Sequence, residues 1–401
     1  MAWGTGISVD IIPYTAINGG SKMTSKERVF KTINHEEPDR VPIGEWGIDH
    51  DHVSHIIGRH TFWRNRKDTT LALWDNRRDE VVGSMKEDYA ALIEALDLDI
   101  VTVELVPSKK HHTADKPREI SAGTWQDCRG NVYKYAASND SISCVTKKEG
   151  KEEIEREDIE RALEDIEEMD ESQFELIDYC CERFGKEKTI LCRSIDIYNP
   201  LFNAFHGDYD HDLMLTLTAP EEIEKMRPVC LAYNRKIINY CAKKGVDIMM
   251  QGQDFGMNSG CIINPASIRS VFMPVIHQVN RDIESAGMIP FYHCCGNIWD
   301  IMDDFVNAGY KGYQSVQESA GMSNEILKKK YGDRLTFWTG VQCETLVEKS
   351  LPEVKQEVER NLEVLMPGGG YIFGSTNSVQ YGAKTDNYLR ALEIVREKGK
   401  Y

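Results

Sequence analysis

Short runs of apolar and aromatic residues alternate with longer amphipathic stretches along most of the chain. Runs at 41–46, 99–105, 189–194, 247–252, 289–293, 312–316, 335–340 and 371–375 read as strands. Several are apolar without alternation, as strands covered on both faces require. Between them, 220–244, 267–286, 298–308, 324–330 and 352–366 carry helical periodicity. Strand–helix alternation of this kind builds a parallel sheet. Eight such runs predict a single (β/α)8 TIM barrel. A doubly wound open sheet is the second architecture with the same pattern.

Three segments depart from the alternation. Residues 1–22, with Gly4, Gly6, Gly19 and Gly20, read as an N-terminal extension ahead of a barrel over 23–401. Thr24 or Ser25 is placed to cap a first helix, with Glu27 in its first turn and an end near Asn34, before Pro38. Residues 106–187 form an insertion within the barrel. Its first part, 106–148, holds Gly123, Thr124, Asp127, Gly130 and Asn131 among β-branched and aromatic residues and predicts a β-hairpin. Its second part, 149–187, is rich in Glu and Lys. Ile154, Ile159, Leu163 and Ile166 give it one apolar stripe, which predicts a surface helix pair with a solvated acidic face.

Composition narrows the class. A chain of 401 residues, 41% hydrophobic and 28% charged, is long enough to bury one large barrel core and is typical of a soluble enzyme. No apolar run approaches the ~20 residues needed to span a bilayer. The short run at 7–13 is broken by Asp10 and has no basic flank, so no signal peptide is read and a cytoplasmic location is expected. The net charge of -17, with no basic block, argues against a nucleic-acid partner. Eleven cysteines, an odd number without regular spacing, read as reduced thiols, a few of them free to bind metal.

The chemistry concentrates at two strand ends. Phe291-Tyr292-His293-Cys294-Cys295-Gly296 closes one apolar run, and barrel active sites lie where strands end. Strand parity points His293 and Cys295 to one side and Cys294 to the other. Two strands later, Gly340-Val341-Gln342-Cys343-Glu344 brings another thiol to the same face of a barrel. One imidazole and two thiolates suit Zn²⁺ with a coordination position left open. A His-x-Cys pair alone is weak, because free cysteines are commonly buried core residues.

The chain resembles the uroporphyrinogen decarboxylase superfamily. The resemblance rests on Met23-Thr24-Ser25-Lys26-Glu27-Arg28, on Asn34-His35-Glu36-Glu37-Pro38-Asp39-Arg40-Val41-Pro42, and on His293-x-Cys295-Gly296. Tyr331-Gly332-Asp333-Arg334 and Pro367-Gly368-Gly369-Gly370-Tyr371 add to it. It covers about residues 23–400 and implies a (β/α)8 barrel with its site at the C-terminal mouth. Decarboxylases of the superfamily clamp an anionic porphyrinogen with an arginine-bearing motif after the first strand. Here the sequence is Pro42-Ile43-Gly44-Glu45-Trp46-Gly47, without arginine. The zinc methyltransferase branch carries a His-x-Cys pair plus a distant Cys, matched by His293, Cys295 and Cys343. Many superfamily members have Asp where Cys343 stands.

That branch implies methyl transfer between a small methylated substrate and the cobalt of a corrinoid protein. No Asp-x-His-x-x-Gly signature is present, so the cobalamin is expected on a separate corrinoid partner. An aryl methyl ether is the favoured methyl donor, from the tryptophan-rich region after the first strand. The alternatives are transfer from methylcobalamin to a thiol, a cofactor-free decarboxylase, and a non-catalytic zinc-binding scaffold. A homodimer is a further expectation.

Other strand-end polar residues are candidates of lesser weight. Glu45 is a candidate fourth ligand or proton-transfer group, and Asp254 a catalytic residue or partner of His293. Trp46, Gln317 and Asn377 are candidate substrate contacts; Glu318 and Glu344 lie at the same face. Trp46, Trp63, Trp74, Tyr198, Phe202 and Phe255 are candidates for an aromatic wall, with a core role the expected one for most of them. His50, His52, His55 and His60 read as surface histidines near a substrate lid rather than a second metal site. Gly368–Gly370 precedes a strand, so it reads as a turn and not a phosphate loop.

Overall fold

The computed structural model describes residues 23–401 apart from 147–149, 206 and 208, so the expected extension 1–22 lies outside the described residues. Seven strands form one parallel sheet: Ile100–Val103, Thr189–Ile195, Ile248–Gly252, Ile289–His293, Gly312–Gln314, Thr336–Val341 and Tyr371–Ser375, each paired with the next. Helices cover the sheet, and the fold is the (β/α)8 type.

The first expected strand, 41–46, is not a laddered strand. It is an extended segment that joins the two edges of the sheet through a few contacts. On one side Phe373 N donates to Pro42 O (2.9 Å) and Gly44 N to Phe373 O (3.0 Å); on the other Asp99 N donates to Ile43 O (2.7 Å). Pro42 has no N–H to give. The N–H of Ile43 goes instead to the Asp99 carboxylate at 2.7 Å. The same fully buried carboxylate accepts from Arg28 Nη1 and Arg40 Nη1, both at 2.6 Å. Arg28 also grips Asp39 at 2.6 and 2.7 Å. The Glu27-Arg28 and Asp39-Arg40 motifs are therefore the clasp of the barrel, not part of its chemistry.

Strand parity divides the core. Ile100, Leu191, Ile248, Met250, Phe291, Trp338 and Ile372 pack together inside the barrel with Val29 and Ile33 of the helix Ser25–Ile33. Residues one position away, such as Val101, Ile190, Met249, Tyr292 and Phe337, pack in the larger core against the surrounding helices. Thr24 caps the first helix in a capping box with Glu27.

Several expected elements are subdivided. The run 220–244 is two helices, Pro220–Lys225 and Arg227–Lys244, separated at Met226 before Pro228. The run 267–286 starts with a π turn, Ile268–Phe272, ahead of Met273–Ser285, whose first turn holds Pro274. The expected hairpin is a four-stranded antiparallel meander: Arg118–Ser121, Thr124–Gln126, Val132–Ala136 and Ser141–Cys144. The helices Arg156–Glu167 and Glu175–Phe184 follow it. Trp74 packs edge-on against Trp125 (5.8 Å) and Tyr133 (5.3 Å), which holds the meander on the barrel.

Candidate functional site

The strand Ile289–His293 turns sharply once it leaves the sheet. Gly296 adopts φ 76°, and a Cβ there would meet the Gly256 carbonyl carbon at 2.4 Å. Glycine is needed for that approach. It lets Asn297 N donate to Met257 O at 2.8 Å, so the loop after His293 lies on the loop after Gly252. This brings Asp254 to the His293–Cys295 pair.

His293 is held from three sides. Its Nδ1 faces Gln314 Oε1 on the adjacent strand at hydrogen-bond contact, and Gln314 Nε2 donates to Ser375 O at 3.1 Å. With its amide so oriented, Gln314 accepts the Nδ1 proton and leaves the lone pair on Nε2. Trp46 stacks on the imidazole, ring centroids 4.2 Å apart and planes at 10°. Burial pushes the His293 pKa below the ordinary imidazole range, which keeps the ring neutral.

The free Nε2 lies 3.7 Å from Cys295 Sγ and 4.0 Å from Asp254 Oδ1. The ligand atoms of Asp254, His293 and Cys295 all lie within 4.8 Å of one another. Cys295 N donates to Asp254 Oδ1 (2.8 Å), Asn377 Nδ2 donates to Cys295 Sγ (2.9 Å), and Ser315 Oγ lies 3.1 Å from that sulfur. Burial, with Asp254 beside it, raises the Cys295 thiol to about 12. Cys294 points the opposite way, fully buried, and accepts from Phe255 N at 3.2 Å.

Cys343 lies on the wall of the same cavity as Cys295 but outside that group of three. Its thiol donates to Ser378 O at 3.5 Å, and burial raises it to about 11. The cavity has a volume of about 440 Å³ and is walled by Arg64, Gln317, Asn377, Ser378 and Tyr381 among others. Ser138 and Asn139, from the turn between the last two strands of the inserted meander, complete one side.

The other sequence candidates divide. Asn377 touches Cys295, and Gln317 accepts from Gly296 N at 3.0 Å while lining the cavity. Trp46 supports His293 and also carries Arg193 over its ring at 4.8 Å. Glu45 is absent from both the metal-capable group and the cavity wall. It is 4% exposed and accepts from Ser375 N (3.0 Å) and Ser375 Oγ (2.6 Å). Glu344 lines the cavity, and Glu318 is bound by Arg360.

The core role expected for most of the aromatic candidates is the one they take, and no wall forms: Trp63 is buried in a stack on Tyr89 (4.0 Å), Trp74 holds the meander, and Tyr198, Phe202 and Phe255 cluster around Phe272. Nor are all the histidines on the surface. His52 is 1% exposed, with Nδ1 at 2.8 Å from Thr385 Oγ1 and Nε2 at 2.8 Å from Gln380 O. Sequence reasoning also missed Gln314, Ser315 and Arg64. Gln314 carried a signal, since it is a polar residue inside an apolar strand run.

The donor set fits a thiophilic dication. Zinc bonds of about 2.0 Å to nitrogen and 2.3 Å to sulfur at a tetrahedral angle require roughly 3.5 Å between N and S. The 3.7 Å between Nε2 and Sγ meets that requirement. A buried thiol kept neutral by its surroundings ionises when a cation arrives. No helix among the described residues is long and apolar enough to cross a membrane.

The uroporphyrinogen decarboxylase (URO-D) family model matches residues 203–398. No curated protein sequence matches the chain. Among solved structures, a methyltransferase from Methanosarcina mazei superposes with a TM-score of 0.65 at 16% identity, over 94% of this chain and 99% of that one. A D-psicose 3-epimerase from Clostridium cellulolyticum H10 superposes with a TM-score of 0.34 at 12% identity, over 60% of this chain and 84% of its own. Residues 203–398 are thus similar to the uroporphyrinogen decarboxylase family, and the chain as a whole shares its fold with the Methanosarcina mazei methyltransferase.

Proposed function

We propose that the protein is a zinc-dependent methyltransferase that moves a methyl group between a small methylated substrate and the cobalt of a separate corrinoid protein. The observation that carries this reading is His293. Its Nδ1 is engaged by Gln314 and its free Nε2 faces Cys295 Sγ at 3.7 Å beside an open cavity. That is the geometry of a metal ligand held by a neighbouring acceptor. The fold shared with a methyltransferase from Methanosarcina mazei supports the choice of chemistry.

His293, Cys295 and Cys343 are the proposed ligands, with the Asp254 carboxylate beside them for the remaining position. When bound, the zinc supplies a Lewis acid that stabilises negative charge on the oxygen or sulfur from which the methyl departs or to which it goes. Asn377 steadies the Cys295 sulfur with its amide N–H. Trp46 and Gln314 fix the imidazole plane. Gln317 holds the turn at Gly296. Ser138 and Asn139 of the inserted meander line one side of the cavity.

An aryl methyl ether remains the favoured methyl donor. The tryptophans do not support it, and the cavity volume of about 440 Å³ leaves room for one substituted ring without selecting it. The test is to mix the zinc-loaded protein with a reduced corrinoid protein and candidate methyl donors and to follow the cobalt spectrum. Methyl-cobalt absorbance that depends on Cys295 is the expected result. Porphyrinogen turnover without any methyl-cobalt would instead favour the decarboxylase reading.

A further inference from the structure

Glu45 is buried and belongs to neither the metal-capable group nor the cavity wall. Its side chain is spent on Ser375, the fully buried last residue of the strand Tyr371–Ser375. Ser375 begins a four-residue segment that touches the support of every proposed zinc ligand. Ser375 O accepts from Gln314 Nε2 at 3.1 Å, and Gln314 takes His293 Nδ1. Asn377 Nδ2 donates to Cys295 Sγ at 2.9 Å. Ser378 O accepts the Cys343 thiol at 3.5 Å, and Thr376 Oγ1 accepts from Cys343 N at 3.2 Å. One short stretch of chain therefore reaches His293, Cys295 and Cys343.

The root of that segment poses a hydrogen-counting problem. Ser375 N donates to Glu45 Oε1 at 3.0 Å. Ser375 Oγ lies 2.6 Å from Glu45 Oε2 and 2.9 Å from Asn377 O, and a hydroxyl has one hydrogen to give. With Glu45 ionised, that hydrogen goes to the carboxylate, and Asn377 O loses it. With Glu45 protonated, the acid donates to Ser375 Oγ and the serine hydrogen passes on to Asn377 O. Only the second arrangement satisfies both contacts.

We infer that Glu45 is a positioning residue of the site: by donating to Ser375 Oγ it fixes the segment Ser375–Ser378, and through that segment the ligand atoms of His293, Cys295 and Cys343. The inference deepens the zinc reading, and its metal readout rests on that reading. Burial supports the protonated form by raising the carboxyl to about 8. No basic group acts on Glu45; its polar neighbours are Ser375 and, from the helix Thr385–Lys398, Tyr388. The titratable groups facing it are Tyr388 and Cys343, and burial pushes both upward. In the metal-free chain the carboxyl is thus the group that changes charge near pH 8. Its ionisation withdraws the serine hydrogen from Asn377 O and loosens the hold on Cys295.

The test compares the full wild-type chain with Glu45→Gln and Glu45→Ala on either side of that carboxyl's titration, at about pH 6.5 and about pH 9. The glutamine amide imitates the protonated acid, since its oxygen accepts from Ser375 N and its N–H donates to Ser375 Oγ. The first readout is hydrogen exchange of the metal-free chain by peptide mass spectrometry, corrected for intrinsic pH dependence. At the higher pH, exchange in the peptide 371–378 should be about tenfold faster in wild type than in Glu45→Gln, the effect of losing one hydrogen bond. At the lower pH the two should match, and a meander peptide, 118–126, should match at both. The second readout is zinc affinity by competition with a chromophoric chelator, taken as a ratio to Glu45→Gln so that shared thiol titration cancels. Wild type should equal Glu45→Gln at the lower pH and bind about tenfold more weakly at the higher one, and Glu45→Ala should be weaker at both. Equal exchange in wild type and Glu45→Gln at both pH values would overturn the proposal, as would a Glu45→Ala chain that binds zinc as tightly as wild type. A role in packing alone would weaken Glu45→Ala without any pH-dependent split between wild type and Glu45→Gln. If Glu45→Ala does not fold, that split decides. If wild type binds no zinc, the zinc reading fails, and hydrogen exchange still decides whether Glu45 sets the segment.

Discussion

Gln314 aims the Nε2 lone pair of His293 at Cys295. The two residues are paired across adjacent parallel strands, and the amide oxygen of Gln314 takes the Nδ1 proton while its nitrogen is spent on Ser375 O. Nε2 is left as a lone pair facing Cys295. Replacing Gln314 by leucine keeps much of the bulk and removes the acceptor. Zinc affinity, read by competition with a chromophoric chelator, should fall about 10–100-fold. An unchanged affinity would mean that the imidazole needs no such support.

The third ligand is open to direct counting. Asp254 already lies with His293 and Cys295, whereas Cys343 stands across the cavity wall. Cobalt(II) in place of zinc reports thiolate ligands through sulfur-to-metal charge transfer. With Cys343 as a ligand, Cys343→Ala should lower that band by about half and Asp254→Asn should leave it nearly intact. The reverse pattern would make the carboxylate the ligand and Cys343 a wall residue.

Glu45 predicts a pH effect of definite sign. Burial lifts its carboxyl to about 8. The folded state then keeps a proton that the unfolded chain releases above about 4.3. The stability due to this group is complete below that pH and is lost as pH rises through about 8. Glu45→Gln should flatten the decline in melting temperature between about pH 5 and 8, and the variant should outlast the wild type at the alkaline end. Parallel curves for the two proteins would show Glu45 ionised in the fold.

Asp99 predicts a stability effect. It is fully buried and joins Arg28, Arg40 and the N–H of Ile43. Asp99→Ala leaves Arg40 without its carboxylate partner and Arg28 with Asp39 alone, and frees the segment that joins the sheet edges. The loss should be about 3–5 kcal/mol by urea denaturation, as for other broken buried pairs. A loss below about 1 kcal/mol would mean the clasp is replaceable by water.

Much of this was legible in the sequence. The seven laddered strands are buried on both faces, so their runs are continuous and hard to mistake. Parity along Ile289–His293 is enough to send Cys294 and Cys295 in opposite directions. The segment 41–46 looked like those strands because hydropathy reports burial and not hydrogen bonding; the diversion of the Ile43 N–H to Asp99 leaves no local signal. Trp63 and Trp74 were placed by composition near the mouth, where long-range packing on Tyr89 and on the meander removes them. Arg64 was missed because its place in the cavity wall depends on Gly47, Asp49 and Ser378, which come from different parts of the chain.

The central claim is a zinc ion on His293 and Cys295. Its most direct test is the metal content of the full chain purified from zinc-supplemented cells, by elemental analysis, beside Cys295→Ala prepared in the same way. The account predicts about one zinc per wild-type chain and near none in the variant, with both proteins folded. A folded wild-type chain without zinc, or a variant that keeps it, would contradict the account.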